Sequence, residues 1–92
     1  MKKIYVNQRR EGAEMIICQA REMASAAGIE LSRIAFDNGK LLVGVEKHIL
    51  TLAVVEKAVR VELSAEALED FPGRVGTEPT IAKVRCGINE LL

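Results

Sequence analysis

The chain has 92 residues, 13 basic side chains against 13 acidic ones, and 49% hydrophobic residues. That length holds one core and not two, and the composition lies far from the polar, highly charged signature of disorder. A formal net charge of zero excludes a whole-molecule field drawing the chain to nucleic acid, membrane or acidic ligands, and no apolar run approaches the roughly 20 residues of a membrane helix.

A single α+β domain over residues 1–92 is therefore expected. Lys2 and Lys3 precede an apolar run that Asn7 already interrupts, which is no secretory leader. Cys18 and Cys86 form no CxxC pair, so reduced thiols in a cytoplasmic protein are the expectation.

In chain order, Lys2 to Val6 reads as an edge strand. Ala13, Ile16, Ile17, Ala20, Met23, Ala24 and Ala27 then fall on one face of a helix over about 8–27, with Asn7 as a candidate cap. Gly28 followed by Ile29 supplies its stop, glycine taking the left-handed turn and isoleucine packing back.

A four-stranded antiparallel meander over about 31–63 is predicted next. Asn38-Gly39 has the chemistry of a tight type I′ hairpin, which would place Phe36 opposite Leu41 and Ile34 opposite Val43. Further tight turns at Lys47-His48 and Glu56-Lys57 would place Val43 opposite Leu52, Leu52 opposite Val61 and Val54 opposite Val59. His48 would then lie in a turn with its ring in water. A helix across Glu46 to Ala58 competes, but the β-branched Thr51, Val54 and Val55 favour strand. Ser64 caps a short helix at 65–70 that Pro72 and Gly73 end. A C-terminal helix over about 78–91 presents Ile81, Val84, Ile88, Leu91 and Leu92, with Gly87 an unfavourable interior residue.

In this register one sheet face is bulky and apolar, and the other gathers Ala35, Leu42, Gly44, Thr51, Ala53 and Val55 with Ile49 and Ala58, alongside Arg33, Glu46, Arg60 and Glu62 toward one end. Such a face is less polar than solvent would leave it, and a second copy of the chain is the expected cover. The leading functional expectation is a non-enzymatic, self-associating protein-interaction module, working as a homodimer or with another protein. An alternative is a nucleic-acid-binding accessory protein using Lys2, Lys3, Arg9 and Arg10, although the acidic run Glu62, Glu66, Glu69 and Asp70 offsets that arm. A thiol-dependent enzyme or redox sensor at Cys18 ranks third, because Glu14 and Glu22 oppose any activation by Arg21. No nucleophile–base pair, phosphate loop or metal-ligand spacing is recognisable, so no catalytic residue, cofactor or metal is assigned.

Overall fold

A computed structural model describes residues 2–39, 45–74 and 76–92, with the backbone alone at 2–7 and Asn38. In order come α1 (Lys2–Ala26), β1 (Arg33–Phe36), β2 (Lys47–Ala53), β3 (Ala58–Ser64), α2 (Ala65–Asp70) and α3 (Thr77–Glu90). Single 3-10 turns at Asp37–Gly39 and Phe71–Gly73 follow β1 and α2. The architecture is α+β, an open antiparallel sheet in the order β1-β2-β3 packed with three helices.

α1 begins earlier than its apolar stripe predicts, so the expected edge strand at 2–6 is helical backbone and Asn7 lies inside the helix rather than capping it. A short apolar run carries no period of its own, and here the following helix simply extends through it. The predicted stop holds. The N–H of Ile29 donates to the carbonyl of Ala24 at 2.8 Å, and that of Gly28 to Ser25 at 3.1 Å. Gly28 has φ 77°. These are the two hydrogen bonds of a Schellman motif, and Ile29 packs against the core as its hydrophobic partner.

The meander departs from expectation at each of its turns. Asn38-Gly39 does not form a two-residue hairpin. Asp37 and Gly39 take positive φ (49° and 97°) within a 3-10 turn, and β1 pairs directly with β2, placing Phe36 opposite Leu50 and Ile34 opposite Leu52. The pairings proposed for Leu41 and Val43 fall on positions 40–44, outside the described residues, and Val45 lies outside any strand. Lys47-His48 is no turn: both residues belong to β2. The last turn lies one residue earlier than predicted, at Val55-Glu56, closed by Val54 and Lys57, where the N–H of Val54 donates to the carbonyl of Lys57 at 2.8 Å. Leu52 therefore pairs with Val59 and Leu50 with Val61. This slip of two residues leaves the residues predicted on β2 and β3 that remain within those strands on their predicted faces, because strand faces alternate with a period of two. The competing helix over 46–58 is absent, since β2 and β3 occupy that span.

Sheet residues Phe36, Leu50, Leu52, Val61 and Leu63 join Ala13, Ile16, Ala20 and Ala24 of α1, Leu68 of α2 and Val84 and Ile88 of α3 in one buried cluster. Two glycines set how closely the layers approach. A Cβ on Gly12 of α1 would lie 1.7 Å from the carbonyl oxygen of Leu68, and one on Gly87 of α3 would lie 2.8 Å from Cγ2 of Val61. Gly87 costs the helix its propensity and gains close contact with the sheet. Ser64 caps α2 as predicted, its hydroxyl accepting from the N–H of Ala67 at 3.1 Å. Leu92, counted in the α3 stripe, is exposed. No helix is long and apolar enough to cross a membrane among the described residues.

Candidate functional site

The most unusual chemistry lies where β1 ends and β2 begins. His48 shares the core-facing parity of Leu50 and Leu52 and is fully buried, with 0% relative exposure. This corrects the expectation of a solvated turn histidine, and the signal was present in the sequence: His48, Leu50 and Leu52 alternate at the period of one strand face. Asp37, in the left-handed region that aspartate tolerates better than most residues, turns its carboxylate onto this strand. Its Oδ2 lies 2.7 Å from Nδ1 of His48, and its Oδ1 accepts from the N–H of Ile49 at 3.0 Å. The Asp37 side chain is 5% exposed. An ionised carboxylate can only accept, which favours the tautomer protonated at Nδ1. Nε2 is buried and has no hydrogen-bond partner among the described residues.

A carboxylate orienting an imidazole is the arrangement that prepares histidine as a base or a metal ligand. Both roles need further groups at Nε2. The described residues bring no three His, Cys, Asp or Glu side chains together, and Nε2 is closed to solvent. The pair ties the 3-10 turn to β2 through two hydrogen bonds. Asp37 escaped the sequence reading because Asp-Asn-Gly has the composition of a solvent-exposed turn.

The other predicted residues are dispersed. Ala35, Thr51 and Ala53 share the outer sheet face with Ile49, all half-buried, while Val55 stands in the turn at 94% exposure. Leu42 and Gly44 lie outside the described residues. Ala58, Arg33, Arg60 and Glu62 on that face are exposed, and Lys47 meets Glu62 at 3.3 Å.

Of the four basic residues of the arm, Arg9 and Arg10 have described side chains, and Arg10 alone of these two is exposed. Arg9 is directed inward at 12% side-chain exposure, 3.4 Å from Oε2 of Glu69 and 3.4 Å from the carbonyl of Val45, whereas Arg10 is exposed. Lys2 and Lys3 are placed only as helical backbone. Cys18 and Cys86 are both exposed free thiols, on different helices.

A groove of about 330 Å³ runs between β3 and α3, lined by Arg60, Val61 and Glu62 on the strand and Lys83, Cys86 and Glu90 on the helix. Sequence reasoning missed it because it depends on how α3 packs against β3, which no periodicity encodes. No protein-family model, curated protein or solved structure matches this chain.

Proposed function

We propose that the chain is a non-enzymatic, self-associating protein-interaction module whose partner is a second copy of itself. The observation that carries this reading is the unequal treatment of the sheet. One face is buried under helices, whereas the positions alternating away from them, Ala35, Ile49, Thr51 and Ala53, are small or apolar and only half-buried. β3 is also an edge strand of the described sheet. Apolar sheet surface and an unpaired strand edge are both places where another chain binds. A second copy is the occupant because homodimers are the commonest soluble assemblies and a net charge of zero opposes no self-contact.

Nucleic-acid binding fits less well, since Arg9 is engaged with Glu69. A reducing, cytoplasmic setting suits two exposed, unpaired thiols. Light scattering over a concentration series tests the reading: twice the chain mass of 10.1 kDa is expected. A single-chain mass at every concentration would remove the proposal.

A further inference from the structure

We infer that two copies join along β3, antiparallel about a two-fold axis beside Val61, with Arg60 of each copy facing Glu62 of the other. This rests on the self-association proposed above and specifies its surface.

The hydrogen-bond parity of the hairpin decides which backbone groups are available. The N–H of Val54 donates to Lys57, and that of Ala65 to Glu46. In the observed register, Leu52–Val59, Leu50–Val61 and His48–Leu63 are then the pairs that exchange backbone hydrogen bonds. The N–H and C=O groups of Arg60 and Glu62 consequently point away from β2, toward the open edge. A two-fold pairing of β3 with itself must use them. Arg60 opposite Arg60, or Glu62 opposite Glu62, would set like charges across the ladder. The register between these puts each Arg60 opposite a Glu62, and Val61 opposite Val61 at the axis.

The side chains agree with this register on both faces. Val59 meets Leu63 of the second copy on the core-facing side, and Ala58 meets Ser64 on the outer side, so bulky residues meet bulky ones and small meet small. Glu62 already contacts Lys47 at 3.3 Å, but that pair is 58% and 72% exposed, an attachment weak enough for Glu62 to serve a cross-strand partner.

The helix above the edge repeats the symmetry. Gly87 of α3 sits against Val61, with Leu52 and Val59 beside it, so α3 lies over β2 and β3, next to the same axis. Neighbouring strands lie about 4.8 Å apart and packed helices about 8–10 Å apart, so β3 pairing brings the two α3 helices side by side. Run antiparallel about Cys86 and Gly87, they set Lys83 of one copy against Glu90 of the other. Strand and helix are thus both self-complementary in charge, and both centres of symmetry fall at the Val61–Gly87 contact.

The test combines charge reversal with cross-linking on the full chain. Arg60→Glu or Glu62→Arg alone places two like-charged pairs across the interface and is expected to weaken the dimer at least tenfold in dissociation constant. The double variant R60E/E62R restores the opposite pairing and should recover most of that loss. Both positions, Arg60 and Glu62, are solvent-exposed in the monomer, and unchanged circular dichroism verifies the fold. A short thiol-specific cross-linker is expected to trap a dimer in Cys18→Ser and to fail in Cys86→Ser. If the wild type is monomeric throughout, self-association and this interface both fall. If it is dimeric but insensitive to both charge reversals, with no link through Cys86, edge pairing is overturned while self-association stands. Loss of that dimer in Thr51→Arg would then place the contact on the outer face.

Discussion

Asp37 and His48 meet at 2.7 Å, although one lies in a 3-10 turn and the other on the inward face of β2. The bond joins the end of β1 to the start of the strand beside it, across a ten-residue connection whose centre lies outside the described residues. It is a polar anchor in a sheet interior that is otherwise apolar among the described residues.

Removing one partner of this buried pair leaves the other unsatisfied. Asp37→Ala deletes the acceptor for both His48 and the Ile49 N–H and is expected to destabilise the chain by about 2–4 kcal/mol in urea unfolding. Loss below about 0.5 kcal/mol would mean that the pair does not anchor the turn.

The same contact assigns a proton. Because the carboxylate accepts, long-range nitrogen–proton correlation spectra should show His48 protonated at Nδ1. Asp37→Asn retains an oxygen for Ile49 but can turn an amide N–H toward the ring, and the proton is expected to move to Nε2. An unchanged His48 nitrogen pattern in that variant would contradict the bond.

The two close-approach glycines should respond differently. At Gly12 an added methyl meets a backbone carbonyl at 1.7 Å, which α1 and α2 can relieve only by separating, so Gly12→Ala should cost about 3 kcal/mol or more. At Gly87 the obstacle is a valine methyl at 2.8 Å, and alanine returns about 1 kcal/mol of helix propensity. Gly87→Ala should therefore stay within about 1 kcal/mol of wild type by thermal or urea unfolding. Equal effects at the two positions would show that the α1–α2 crossing is looser than described.

Arg9 and Arg10 separate in the same way. Arg9→Ala removes a partly buried ion pair and a carbonyl contact and should cost about 1 kcal/mol, whereas exposed Arg10 should be replaceable within about 0.5 kcal/mol. The comparison needs only parallel melting curves. A larger effect at Arg10 would reverse the assignment of the basic arm.

What the sequence made legible follows from local chemistry. Apolar spacing located α1 and α3, the Gly28-Ile29 stop and Ser64 cap behaved as their side chains demand, and period-two alternation sorted Phe36, Leu50, Leu52, Val61 and Leu63 to the core. What it did not reveal depended on partners distant in the chain. Asn38-Gly39 is suited to a tight hairpin, yet Asp37 is held instead by His48 and Ile49 on the next strand. The face of each strand survived a two-residue slip, while the pairing itself did not, because turn position sets register and Val55-Glu56 carries no strong turn signal. Of the candidate interface, Ala35, Thr51 and Ala53 could be grouped by alternation alone. The β3–α3 groove could not, since it needs the close approach that Gly87 permits.

The β2–β3 register decides whether Arg60 and Glu62 turn their backbone groups to the open edge, and Hα–Hα nuclear Overhauser contacts measure it directly. Thr51 and Arg60 form a non-hydrogen-bonded pair here, the kind in which opposed Cα atoms lie about 4.5 Å apart, so a strong contact between their Hα protons is expected. A contact from Leu52 to Val61 instead would mean a two-residue turn at Glu56-Lys57. Arg60 and Glu62 would then bond inward to β2, and β3 would have no edge on which to pair with a second copy in the inferred register.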